Sequence, residues 1–475
     1  MKRPNLVWAL LAIVPVAWGQ APAERQPPAR LSRADLAVLY LDVERALRVN
    51  PTPPGAAEIN RLFDQATLRF FGGMNVAEAI REVADRVRFG DEVTPNHAFA
   101  SSLRVSASPA VMCLERPEDV TIRVEPMYDV PPVGAVGVRV MAPSGKVVLD
   151  SAITEARAEF RIEAGKFGVG TYRVELLSGQ TPRFTARLVV TERPLNAVRD
   201  ELLKELATIG EPGEGGPIAA ESVAACRARI QLLTDTPSKD NSAQFMADPI
   251  ALRREVELEI EALRAGKDPY RDRRGDYWRV FTFRGAEVPA RVLAPSTGQG
   301  PFPVIFALHG AGGDESMWAE GYGGGQLGAL VEKHKFIAVC PRTELLIGNS
   351  ALFDAVFTTT ADLYPIDRAR VYLMGHSLGA MASTGIASQR ADSVAAVCLF
   401  AGMGRFPARG SMPPTLIVAG ELDPLFSARQ VEAGVARAKE AGLPVELRML
   451  KDRGHTLLVG EELPGAVGWL LRRSR

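Results

Sequence analysis

The chain reads as a multidomain protein. A mostly parallel α/β unit at the C-terminus follows helical segments and a small β-sandwich. Three observations predict this. The 475 residues exceed what a single hydrophobic core organises. From about Tyr277 onward, continuous apolar runs alternate with helical patterns. Between residues 100 and 192, short alternating runs recur at close intervals with Pro, Gly and Ser between them.

The first residues read as an export signal. Lys2 and Arg3 form a positive start, and Leu6 to Ala17 is apolar but short for a membrane span. Ala17-Trp18-Gly19 offers a cleavage site, so residues 1–19 read as a signal peptide and 20–30 as a Pro-rich linker. This predicts a secreted or periplasmic bacterial protein with no stable membrane insertion after cleavage. Hydrophobic residues make up 47% and charged residues 24%, an ordinary globular balance. The formal net charge is zero, so nothing global favours nucleic acid or an anionic membrane.

Residues 31–95 read as a helical region. Apolar residues keep mixed spacings of 3 and 4 over 35–43, 56–71 and 76–87. Pro51, Pro53 and Pro54 break the first helix from the second, and Gly72-Gly73 the second from the third. Residues 100–192 carry the alternating runs, among them Val120-Thr121-Ile122-Arg123-Val124 and Tyr172-Arg173-Val174-Glu175-Leu176. They predict an accessory β-sandwich of immunoglobulin-like type, either a passive spacer or a surface for carbohydrate or protein contact. Residues 193–270 return to helix, with a glycine-rich break at 210–216. This stretch is either a linker or a wall over the site.

Residues 275–475 form the predicted catalytic unit. A hairpin, 278–283 with 288–293, precedes the buried strand Val304-Ile305-Phe306-Ala307-Leu308. Further strands fall at 336–340, 371–374, 394–400, 415–419 and 445–450, with helices at 327–334, 351–363 and 430–441. Onto this frame falls Gly375-His376-Ser377-Leu378-Gly379. Alone, G-x-S-x-G arises by chance about once in every few chains of this length. Here it follows an apolar strand and opens a small-residue helix, the context of a nucleophile elbow. Ser377 is therefore the candidate nucleophile.

A serine hydroxyl needs a base, and there are only five histidines. His376 is internal to the elbow and should point away from Ser377. His334 ends a polar helix, His97 is remote, and His309 belongs to a glycine loop. His455 remains, on the loop after the last strand. Asp423, in Gly420-Glu421-Leu422-Asp423-Pro424, is the preferred orienting acid, with Glu421 as the alternative. Candidate oxyanion donors are the N–H of Leu378 and, in His309-Gly310-Ala311-Gly312-Gly313-Asp314, that of Ala311. The same glycine run lacks the G-K-[ST] of a phosphate loop. Trp318, Met403 and Phe426 are candidates to line an acyl or alcohol pocket, with core packing the equal alternative.

With these residues in order, the segment from about 278 to 475 resembles the α/β-hydrolase superfamily. More narrowly it resembles secreted esterases of the polyhydroxybutyrate depolymerase, feruloyl esterase and dienelactone hydrolase kind, and prolyl-oligopeptidase-like catalytic domains. The carrying residues are Leu308 to Gly313, Tyr364-Pro365-Ile366-Asp367, Arg370 to Leu373, Gly375 to Gly379, Gly420 to Pro424, and Gly454-His455. Ala380 departs from the second Gly that related esterases often carry. The resemblance implies a mostly parallel sheet with helices on both faces. It implies hydrolysis of a small-molecule or polymeric ester through an acyl-enzyme, without metal or cofactor. In that topology the strands of Cys340 and Cys398 stand three positions apart, roughly 14 Å, beyond disulfide reach. Cys113 with Cys226 is left as a candidate bridge.

The interval between Phe400 and Pro413 is short, which argues against a large lid inserted there. Two other functions stay open: a serine peptidase of prolyl-oligopeptidase type, and a silent hydrolase fold used for binding. No repeat of 40–50 residues precedes residue 277, which disfavours a propeller-bearing peptidase.

Overall fold

A computed structural model describes residues 31–209, 219–408 and 410–475. The signal-peptide and Pro-rich readings of residues 1–30, and the break at 210–216, lie outside the described residues.

Among the described residues four helices come first: α1 (Arg33–Val49), α2 (Ala56–Phe71), α3 (Ala77–Phe89) and α4 (Pro95–Ser102). Ser32 and Asp35 exchange hydrogen bonds as a capping box that starts α1. The helices bury their 3–4 stripes against one another through Leu39, Val43, Ile59, Phe63, Val83 and Val87.

Eight strands follow: β1 (Leu103–Ser108), β2 (Val111–Cys113), β3 (Val120–Pro126), β4 (Val136–Met141), β5 (Val147–Ile153), β6 (Ala158–Ile162), β7 (Gly170–Ser178) and β8 (Thr181–Thr191). They form a three-stranded sheet, β1-β3-β6, and a five-stranded sheet, β2-β8-β7-β4-β5. Alternate residues are buried, as in Val120, Ile122 and Val124 of β3 and Val136, Val138 and Val140 of β4. These side chains share one core with helices α1–α3. Buried polar contacts reinforce the junction: Arg81 of α3, held by Asp42 of α1 at 2.6 Å, donates to the Arg183 carbonyl of β8 at 2.6 Å, and Arg183 binds Asp85 of α3. The helices and the small sheets are therefore packed as one body.

Helices α5 (Leu195–Ala207), α6 (Ala220–Ile230), α7 (Ser242–Phe245) and α8 (Pro249–Arg264) come next. Val256, Ile260 and Leu263 of α8 join the core beneath the large sheet. Most of this stretch thus extends the sheet's helical layer.

The large sheet is built from β9 (Gly275–Phe283), β10 (Ala286–Ala294), β11 (Phe302–Leu308), β12 (Ile337–Pro341), β13 (Ile366–His376), β14 (Ala396–Phe400), β15 (Thr415–Gly420) and β16 (Val445–Leu450). Its order is β16-β15-β14-β13-β11-β12-β10-β9, with β10 antiparallel to both β9 and β12 and the other neighbours parallel. Around it lie α9 (Gln326–His334), α10 (Thr343–Leu346), α11 (Ser350–Leu363), α12 (Leu378–Gln389), α13 (Ala428–Glu440) and α14 (Leu458–Leu471). Every residue of β11, β12, β14 and β15 is buried, which explains their unbroken apolar runs. Cys398 on β14 and Cys340 on β12 stand three strand positions apart. All four cysteines are free thiols, Cys113 and Cys226 included. Among the described residues no helix is long and apolar enough to cross a membrane.

Candidate active site

Ser377 stands between β13 and α12 with φ 51° and ψ −112°, a conformation that side chains other than glycine seldom adopt. The flanking glycines make the turn possible. A Cβ at Gly375 would overlap the Gly379 carbonyl, and one at Gly379 would overlap the Leu308 carbonyl. The Ser377 N–H donates to the Phe400 carbonyl at 2.9 Å, tying the turn to β14. Helix α12 starts at Leu378, so the Leu378 N–H is among the first-turn donors that lack a partner within the helix.

His455 lies on the loop between β16 and α14 and is buried. Its Nδ1 is 2.8 Å from Asp423 Oδ2. A carboxylate only accepts, so Nδ1 carries the hydrogen and Nε2 keeps its lone pair. Asp423 is itself fixed, since its Oδ1 accepts from the N–H groups of Leu425 and Phe426 at 2.8 and 2.9 Å. Glu421, the alternative acid, is exposed in the same turn.

The other two buried histidines brace the backbone. His376 Nε2 lies 3.1 Å from the His455 carbonyl oxygen, which can only accept, so Nε2 donates. Its Nδ1 then accepts from the Tyr322 hydroxyl at 2.8 Å, and Tyr322 accepts from the Gly310 N–H at 3.3 Å. His376 thus links the glycine loop to the His455 loop. Burial first, and neighbouring His455 second, hold its pKa well below the usual imidazole range. His309 Nε2 accepts the Thr343 N–H at 3.0 Å, and its Nδ1 donates to the Gly310 carbonyl at 2.9 Å. Burial lowers its pKa as well.

A cavity of about 220 Å³ opens on Ser377, His455 and the loop Gly310–Asp314. Ala311 lines it, while Leu378 does not. The opposite wall comes from the far end of the chain. Tyr40 and Leu41 of α1, Phe63, Phe70 and Phe71 of α2, and Ile80 of α3 all line the cavity. Ser242, Phe245 and Met246, in and just after α7, close one side. Of the two readings of this segment, its lining residues favour the wall. The 401–414 interval has neither helix nor strand among its described residues. The site is nevertheless roofed, by α1–α3.

The pocket candidates need correction. Trp318 is wholly buried against Tyr322 and Phe400, with ring centroids 4.6 and 6.0 Å away, and does not line the cavity. Met403 packs against the core beneath α13, its side chain occupying the space beside Gly434. Phe426 is not a lining residue either, but its ring is parallel to that of His455 at 6.0 Å. Loop position alone placed all three near the site. Which side faces the cavity depends on packing that local sequence does not encode.

Sequence reasoning missed the roof's polar contacts. The Arg33 guanidinium binds Asp314 at 3.0 Å and the Gly312 carbonyl at 3.3 Å. Glu44 accepts from the Gly323 N–H at 3.1 Å and from the Tyr40 hydroxyl at 2.6 Å. Asn60 and Asp64 reach the His455 loop. The only signal available was polar residues on the inner side of amphipathic helices.

No protein-family model matches the chain. A stretch of 120 residues is 31% identical to esterase EstD of Thermotoga maritima. The chain resembles α/β-hydrolase serine esterases. The match covers 22% of this chain and only 29% of that esterase's length. Among solved structures, an S-formylglutathione hydrolase of Staphylococcus aureus is 13% identical, with 42% of this chain and 98% of that one covered at a TM-score of 0.36. A ferulic acid esterase of Anaeromyces mucronatus is 16% identical, with 42% and 93% covered at a TM-score of 0.35.

Proposed function

We propose that this protein is a serine hydrolase that cleaves carboxylic esters through an acyl-enzyme. The observation that carries this reading is one cavity holding Ser377 on a strained turn and His455 bound to buried Asp423. Ser377 Oγ attacks the ester carbonyl while His455 Nε2 takes its proton. Asp423 holds the imidazole tautomer and stabilises the imidazolium. The N–H groups of Leu378 and Ala311 receive the oxyanion, each worth on the order of 3 kcal/mol of barrier. The C–O bond then breaks, and His455 returns the proton to the leaving alcohol. Water, activated by the same histidine, attacks the acyl-enzyme and releases the acid. A cavity of about 220 Å³ favours a compact acyl group, since sites for drug-sized ligands span roughly 300–1,000 Å³.

The two small sheets support an immunoglobulin-like reading of residues 103–191. Three strands face five, and β2 runs parallel to β8 at the start of the larger sheet. The export reading of residues 1–19 rests on the sequence pattern. N-terminal sequencing of protein secreted by a bacterial host tests it, with Gln20 as the expected first residue.

The activity test uses full-length mature protein with p-nitrophenyl esters of rising chain length and dipeptidyl anilides in parallel. Expected are ester turnover, fluorophosphonate labelling at Ser377, and loss of both in Ser377→Ala. Anilide turnover without ester turnover would sink the esterase reading in favour of a peptidase. No labelling at all would leave a binding protein.

A further inference from the structure

We propose that Asn60 and Asp64 of α2 are positioning residues for the catalytic base, so that the roof helix works as part of the catalytic centre. The inference rests on the serine-hydrolase reading of Ser377 and His455. The Gly454 N–H donates to Asn60 Oδ1 at 2.9 Å. The next N–H, that of His455, donates to both oxygens of Asp64, at 3.1 and 2.9 Å. All of these groups are buried, and they join residues almost 400 positions apart in the chain. Asn60 is held in turn by its own amide, which donates to the Ala56 carbonyl at 2.9 Å. The approach is close enough that a Cβ at Gly454 would overlap the Asp64 carboxylate.

His455 is thereby fixed at three points. Asp423 takes its Nδ1 hydrogen, His376 donates to its carbonyl, and α2 takes its backbone N–H. Only the third comes from outside the large sheet and its loops. Without Asn60 and Asp64, two buried N–H donors on this loop lose their acceptors, a cost of about 1–3 kcal/mol each. The loop would relax to recover partners. A base displaced by about 1 Å can lose on the order of 10²-fold in rate.

Asp64 also bears charge. The titratable groups facing His455 are Asp423 from the loop after β15, Asp64 from α2 and His376 from the elbow. Arg453, on the same loop, is occupied by Glu461 of α14. Burial raises the pKa of Asp64 to about 7, with Asp423 adding to the rise.

The test compares full-length wild type, Asp64→Ala, Asp64→Asn and Asn60→Ala on p-nitrophenyl butyrate from pH 5 to 9, with thermal unfolding of each. Asp64→Ala is expected to lower kcat about 30–100-fold with KM within threefold. Asp64→Asn keeps one acceptor oxygen, so kcat should return to within about tenfold of wild type. Asn60→Ala should cost about tenfold in kcat. A folded Asp64→Ala within twofold of wild type overturns the proposal, as does a loss confined to KM or an Asp64→Asn no more active than Asp64→Ala. If Asp64→Ala does not fold, Asn60→Ala decides: a kcat within twofold of wild type, or a loss confined to KM, overturns the proposal. A wild type that neither turns over esters nor takes a fluorophosphonate fails at the prior reading; an active wild type with unchanged variants fails only here.

Discussion

The large sheet and the roof meet across one cavity but are built by different means. On the sheet side, backbone packs on backbone: the elbow glycines leave no room for a Cβ beside the Gly379 and Leu308 carbonyls. On the roof side, side chains reach across. Arg33, Glu44, Asn60 and Asp64 bind backbone or carboxylate groups of the loops, and Phe63, Phe70 and Phe71 complete the wall. A site assembled this way should be rigid on one side and tunable on the other. Substitutions on the sheet side should abolish activity, and those on the roof should lower it by smaller factors or change its selectivity or the pH dependence of stability.

The sharpest form of that contrast is Gly379→Ala. The added methyl meets main chain from β11 and the loop after it, which cannot rotate away. Overpacking of this kind costs about 1–3 kcal/mol or more, and the turn carrying Ser377 must move. We expect at least a 10³-fold fall in kcat/KM for p-nitrophenyl butyrate and a lowered Tm. Activity within tenfold of wild type would show that the elbow is less constrained than its geometry states.

The same contrast explains what the sequence revealed. The elbow, Asp423, His455 and the glycine loop were legible because each is a local pattern on a strand end, and strand ends are marked by unbroken apolar runs. The strands of the small sheets were legible as short apolar or alternating runs, except β2, whose three residues are too few to show a period. The roof helices were legible as helices, but not as a roof. Nothing in a 3–4 stripe says which surface it will cover, and the covered loops lie hundreds of residues away. The short interval after Phe400 argued against an inserted lid but could not reveal cover arriving from the N-terminus. Helix α14 escaped because it is apolar nearly all round and contains Pro464, so it shows neither a clean stripe nor clean boundaries.

A smaller effect is expected where the roof lines the cavity. Phe70 lines it yet is 38% exposed, so truncation should cost little stability. Phe70→Ala widens a compact chamber on one side. One methylene of fit is worth roughly 10–200-fold in discrimination. We expect the kcat/KM ratio of octanoate to acetate p-nitrophenyl esters to rise about tenfold, with Tm lowered by no more than about 2 °C. An unchanged ratio would mean that the acyl group does not reach the α2 wall.

The smallest effect concerns how the roof stays docked. Burial raises the pKa of Glu44 to about 7, even though the Tyr40 hydroxyl and the Gly323 N–H donate to it. In an unfolded chain a glutamate titrates near ~4.3. The folded protein therefore holds this proton more tightly than the unfolded one. Its contribution to stability is complete below the unfolded value and is lost as pH rises through about 7. Asp64, also raised to about 7, acts in the same direction. Asp42 does not enter this window: burial opposes its ionisation, but hydrogen bonding from Arg88 and the charge of Arg81 hold it below the usual carboxylate range. Glu44→Gln keeps an oxygen for the Gly323 N–H and removes the titration. The fall in Tm between pH 5 and pH 8 should be shallower in Glu44→Gln than in wild type by about 2–4 °C. Part of the slope should survive, because Asp64 still titrates. Parallel Tm curves for the two proteins would mean that Glu44 does not change its proton on folding, and that the α1 contact with Gly323 is indifferent to pH.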